Sequence, residues 1–82
     1  MASIPSAPRV VVYSGVGCGL CESALAVVRV VCGDDFELVE IDGDEVLEAR
    51  YRDSLPVVEI DGERAFTYFV GADSLRQRLR PA

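Results

Sequence analysis

Apolar positions follow two rhythms along the chain. The run RVVVYS, from Arg9 to Ser14, is β-branched and aromatic and is apolar on both faces, which predicts a buried central strand. A glycine-rich stretch, Gly15 to Gly19, interrupts it. CESALAVVRVVC then sets Cys21, Ala24, Leu25, Val28 and Cys32 on one helical face. Val27, Val30 and Val31 have the branching of strand residues. Glu22 to Ala26 nevertheless start a helix well and Gly33 stops one, so a helix is predicted. FELVEID (Phe36–Asp42) reads as a second strand. GDEVLEARYRD (Gly43–Asp53) reads as a second helix, with Asp44 or Asp42 as its cap and Val46, Leu47 and Tyr51 on its buried side. In LPVVEIDGERAFTY two strand-like runs flank Asp61-Gly62, the mark of a hairpin. ADSLRQRLR closes the pattern as a helix with Leu75 and Leu79 one turn apart.

The predicted order is β-α-β-α-β-β-α. The first two strands are joined by a helix and should be parallel, with a right-handed crossover. The last two should form an antiparallel hairpin. The fold class expected is α/β, a four-stranded mixed sheet flanked by helices on both faces. The chain has 82 residues, enough for one small domain, taken as residues 9–82 behind a flexible tail at 1–8.

Composition narrows the chemistry. Half of the residues are hydrophobic, so a core can form and disorder is excluded. Formal net charge is −6, and eight carboxylates with no base fall between Gly33 and Ala49. Phosphate backbones and anionic membranes would be repelled, so neither nucleic acid nor membrane is expected as a partner. All eight bases are arginine and there is no histidine, which removes lysine Schiff bases, Ser-His-Asp and Cys-His catalysis, and most zinc enzymes. MASIPSAPR has neither the charged nor the apolar region of a secretory leader, and no apolar run is long enough to span a membrane. The expectation is a cytoplasmic monomer. In that compartment a close cysteine pair points to redox or metal chemistry rather than to a structural staple.

That pair lies in GVGCGLCES: Cys18 and Cys21, with Gly19 and Leu20 between them. Cys18 falls at the end of the loop after the first strand, where the first helix begins, and Cys21 in that helix's first turn. The free N–H groups and the dipole of a helix start stabilise a thiolate, so Cys18 is expected as the exposed nucleophile and Cys21 as the more buried resolving thiol. Glu22 opposes a second anion there and limits the shift. An inert packing pair and a metal site remain open readings. Zinc wants four ligands, and Cys32 lies roughly 16 Å farther along the helix at 1.5 Å per residue, too far to join. Cys32 is read as a small buried hydrophobe. Tyr13, Tyr51, Phe66 and Phe69 are read as core, and Arg76 and Arg80 as solvated charge on one helix face.

A strand, a C-x-x-C at a helix start, a strand, a helix, and X-Pro opening a hairpin resemble the thioredoxin superfamily, and within it small glutaredoxin-like proteins. The resemblance covers Val10 to about Leu79. It implies that Cys18-Gly19-Leu20-Cys21 is the active-site segment and that Leu55-Pro56 is the cis-proline segment beside it. Gly19, Leu20, Leu55 and Pro56 would then face substrate. Glutaredoxins usually carry Pro and an aromatic between the cysteines, a base just upstream, and a Gly-Gly-Asp type segment after the last strand. Here stand Gly19 and Leu20, then Gly15, Val16 and Gly17, and FVGADS with Gly71 and Asp73. Weak or no use of glutathione is therefore expected.

The function expected is a thiol–disulfide oxidoreductase acting on protein or low-molecular-weight disulfides through a Cys18–Cys21 redox disulfide, with no cofactor and no metal. Two alternatives stand beside it. One is a non-catalytic binding module that docks through the acid block. The other is a metal or iron–sulfur carrier bridging two chains through the C-x-x-C.

Overall fold

A computed structural model describes residues 9–80; the segment 1–8, read above as a tail, and residues 81–82 lie outside the described residues. The elements run β1 (Val10–Ser14), α1 (Gly19–Cys32), β2 (Glu37–Glu40), α2 (Glu45–Tyr51) with a 3₁₀ turn at Arg52–Ser54, β3 (Val57–Ile60), β4 (Glu63–Thr67) and α3 (Ala72–Leu79). The sheet order is β2-β1-β3-β4. β1 runs parallel to β2 and antiparallel to β3, and β3 and β4 form the hairpin. This is the mixed four-stranded sheet that the alternation of elements predicts.

Strand alternation sorts the core into two layers. Val10, Val12, Val58 and Ile60 face one way and pack with Val28 of α1 and Leu75 of α3. On the opposite face Val57 packs with Ile41 and with Tyr51 of α2, against which Tyr13, Leu47 and Leu55 lie. Tyr13 and Tyr51 stack at 4.1 Å between ring centroids, with an interplanar angle of 14°. Both rings reach the Glu59 carboxylate: Tyr51 Oη donates to Oε2 at 2.7 Å and Tyr13 Oη to Oε1 at 3.5 Å. A half-buried carboxylate is thereby satisfied within the sheet.

α1 ends where glycine permits. Gly33 takes φ 64° and its N–H bonds Arg29 O at 2.8 Å. Three expectations need correction. Val46 is 70% exposed rather than buried. α2 turns Leu47 and Tyr51, one turn apart, to the sheet, and Val46 then points outward. Phe69 is 73% exposed rather than core. Tyr68 adopts φ 68°, and Phe69 N–H closes on Thr67 O at 2.7 Å, so the chain turns sharply and throws the ring into solvent. The second strand ends at Glu40, before the predicted Ile41 and Asp42. Ile41 N–H still bonds Ser14 O at 2.9 Å, but Asp42 turns away to Val16 in the β1–α1 loop and to Arg52. Cys32 sits half-buried at the end of α1, packed against the core but not within it.

Candidate active site

The C-terminal end of β1 delivers the chain to the site. Gly15 is buried, and a Cβ there would stand 2.8 Å from Leu55 Cδ1, so a glycine lets the loop pass under Leu55. Gly17 takes φ 77°, a conformation that side chains resist. Cys18 follows as the N-cap of α1, in extended conformation, and its Sγ accepts the Cys21 N–H at 3.1 Å. Sulfur thus occupies the position that serine or aspartate takes in other helices, in front of N–H groups that have no partner inside the helix.

One turn on, Cys21 is 1% exposed, on the stripe with Ala24 and Val28, while Cys18 is half-buried. Their Cα atoms are 5.2 Å apart, and the two sulfurs are joined as a disulfide. Gly19 and Leu20, between them, are exposed. Cys32, the remaining cysteine of the described residues, stands apart at the other end of α1, and burial together with Asp35 raises its thiol pKa. Among the described residues no group of three or more His, Cys, Asp or Glu side chains is gathered to hold a metal ion.

Leu55 is drawn into the site by its contact with the position of Gly15. The Leu55-Pro56 bond is cis, and Pro56 is buried. The Pro56 carbonyl accepts the Tyr68 N–H at 3.0 Å, and Tyr68 Oη donates to Asp53 O at 2.8 Å. Tyr68 therefore ties the end of β4 to the proline segment and to the 3₁₀ turn before it.

Three residues of this region do work that the spacing does not indicate: Asp42, expected as an alternative cap for α2, with Glu48 and Arg52. Asp42 Oδ2 accepts the Val16 N–H at 2.8 Å, and Oδ1 accepts from Arg52 Nη2 at 3.1 Å. Arg52 also pairs with Glu48 at 3.2 Å, and Glu48 Oε2 accepts the Gly43 N–H at 2.8 Å. The Val16 N–H, and after it Arg52, holds the Asp42 carboxyl below its usual range, while Asp42 and then Glu48 raise Arg52. A clue lay in the pair Asp42 and Asp44 around Gly43. A helix takes one N-cap, and Asp44 fills it, accepting from the N–H groups of Val46 and Leu47. The second aspartate was free for another task.

Comparison with known proteins agrees with this geometry. The family model for the glutaredoxin-like domain (DUF836) matches residues 9–80. The chain is similar to the X. campestris protein XcR50, solved by X-ray, at 28% identity and TM-score 0.75, covering 85% of this chain and 93% of that one. It is similar to protein Ne2328 of Nitrosomonas europaea, solved by NMR, at 30% identity and TM-score 0.71, covering 98% and 100%. Similarity extends to the holo form of glutaredoxin C1 from Populus tremula x tremuloides, at 28% identity and TM-score 0.56, covering 88% and 73%. No curated protein matches. A thioredoxin-like α/β sheet, a cysteine pair at the start of its first helix and a family model spanning nearly the whole length converge: the chain belongs to the glutaredoxin-like domain family of the thioredoxin superfamily.

Proposed function

We propose that the chain is a thiol–disulfide oxidoreductase in which Cys18 attacks and Cys21 resolves. The observation that carries this reading is the asymmetry of the pair: Cys18 is half-exposed at the helix cap and Cys21 is 1% exposed one turn inside. In the reduced form the Cys18 thiolate attacks one sulfur of a substrate disulfide. A Cys18–substrate disulfide forms and the other substrate sulfur leaves as thiolate. Cys21, deprotonated, then attacks Cys18 Sγ, releasing the second substrate thiolate and leaving the Cys18–Cys21 disulfide. Two electrons pass from the pair to the substrate, and an external thiol returns them. Gly19 and Leu20 on one side and Leu55-Pro56 on the other are assigned to contact the substrate.

The substrate is a protein or low-molecular-weight disulfide, with glutathione used weakly. Arg52, whose guanidinium reaches the loop, is already paired with Asp42 and Glu48, and the N-cap of α3, Gly71, makes no side-chain cap bond; both support weak use of glutathione. Neither nucleic acid nor a membrane surface is proposed as partner, and the protein is taken to act in the cytoplasm as a monomer. No described helix is long and apolar enough to cross a membrane.

The test is a disulfide-reduction assay with insulin and with a glutathionylated peptide. Cys18→Ser should abolish turnover. Cys21→Ser should accumulate a mixed disulfide detectable by mass spectrometry, and Cys32→Ser should keep the wild-type rate. Equal activity in Cys18→Ser and wild type overturns the reading in favour of a binding module.

A further inference from the structure

The loop that presents Cys18 has little with which to hold itself. Gly15 and Gly17 carry no side chain, and Val16 is 75% exposed. The hold comes from across the sheet, through the Val16 N–H bond to Asp42 Oδ2 at 2.8 Å. A carboxylate accepting a backbone N–H makes a charge-assisted bond, stronger than a neutral one. The carboxylate is itself braced: Arg52 grips its other oxygen and Glu48, and Glu48 is tied to Gly43 N–H. Gly15 runs against the same brace, since a Cβ there would stand 3.6 Å from Asp42 Oδ2 and 3.6 Å from Arg52 Nη1. A linked set of bonds therefore runs from α2 to a backbone position two residues before the cap sulfur.

We propose that Asp42 is a positioning residue for Cys18: its carboxylate fixes the backbone at Val16 so that the Cys18 sulfur stays in front of the free N–H groups that open α1. The proposal rests on the dithiol reading of the site, in which that sulfur must be held ready as a thiolate. Asparagine cannot replace the aspartate. A carboxamide has one acceptor oxygen where two donors, Val16 N–H and the Arg52 guanidinium, each need one. One of the two contacts is lost whichever way the amide turns.

Charge and position predict opposite signs, which makes the idea testable. If Asp42 acted on Cys18 only as a nearby anion, removing it would ease thiolate formation and lower the thiol pKa. If it acts by position, removing it lets the sulfur drift from the cap and raises that pKa. Beside the cysteine pair stands Glu22, and the network that reaches the loop holds Asp42, Arg52 and Glu48; the same elements also carry Arg29, Glu37, Glu40, Glu45, Arg50 and Asp53, and each single variant below changes one member of the network alone.

The experiment is alkylation of the fully reduced protein with iodoacetamide at graded pH, with Cys18 read separately by peptide mass spectrometry. Asp42→Asn should move the Cys18 midpoint upward by about half to one pH unit, which is about a 3- to 10-fold loss of thiolate below the midpoint. Arg52→Lys keeps the cation but cannot fork between Asp42 and Glu48, so it loosens the brace without changing the charge, and should move the midpoint the same way by less. The double variant should shift no further than Asp42→Asn alone. An unchanged or lowered midpoint in Asp42→Asn overturns the proposal. If that variant does not fold by circular dichroism, an unchanged or lowered midpoint in Arg52→Lys overturns it instead. Alkylation needs no disulfide substrate, so a chain inactive toward disulfides would sink the oxidoreductase reading and leave this measurement intact.

Discussion

Tyr51 shows how one residue can carry a pH dependence. It is 3% exposed, and its hydroxyl donates to Glu59 Oε2 at 2.7 Å. Burial first, then the bond to Glu59 and the nearby Tyr13 hydroxyl, raise its pKa well above the ordinary value for a phenol. In the unfolded chain the phenol ionises near pH 10, whereas in the folded chain it keeps its proton to higher pH. Its contribution is therefore complete below about pH 10 and is lost as pH rises from there toward the folded value. The urea midpoint of the wild type should fall as pH rises above about 10, and Tyr51→Phe should flatten that fall. At neutral pH the same substitution should lower stability by about 1–3 kcal/mol, because a half-buried carboxylate oxygen loses its donor. A fall of equal steepness in Tyr51→Phe would assign the pH dependence elsewhere.

At the scale of elements, α2 is short and leans on its cap. It spans Glu45–Tyr51, seven residues, and Asp44 Oδ1 accepts from the N–H groups of Val46 and Leu47 at 3.0 and 3.1 Å. So short a helix is marginal by itself and depends on capping and on packing of its apolar side. Asp44→Ala should lower stability by about 1 kcal/mol, or about 4–8 °C in Tm, measured by thermal melting in far-ultraviolet circular dichroism. Element types were legible in the sequence because each had a local cause. The Val-rich α1 is legible as a helix through its opening residues Glu22 to Ala26 and its stop at Gly33, and the hairpin through Asp61-Gly62, where both residues take positive φ. What escaped the sequence was non-local. Nothing in the spacing shows that Asp42 reaches back to Val16, twenty-six positions earlier. Phe69 looked like core by type, but a left-handed Tyr68 beside it cannot be read from composition. Val46 was misplaced because a seven-residue helix offers too few positions to fix which flank of its apolar side meets the sheet.

For the whole molecule, the cysteine pair was legible as a motif and the fold as an order of elements, while the brace around the loop needed the two brought together. The same assembly decides what lies at the rims of the sheet. β2 and β4 are the outer strands. β2 carries Glu37 and Glu40, both exposed, and β4 opens with exposed Glu63 and Arg64 next to a register shift against β3 at Val58/Glu59. Charge and irregularity on an outer strand discourage a second chain from adding itself there. This protection is electrostatic, so it goes where the charge is removed. Glu37→Gln with Glu40→Gln should therefore uncover the rim at β2, on which chains can stack edge to edge, and the double variant should nucleate thioflavin-binding fibrils after a lag under conditions in which the wild type stays clear. Equal clarity in the two proteins would assign the protection to the shape of the rim instead. On this account what keeps neighbouring copies apart at β2 is two carboxylates rather than the topology of the sheet.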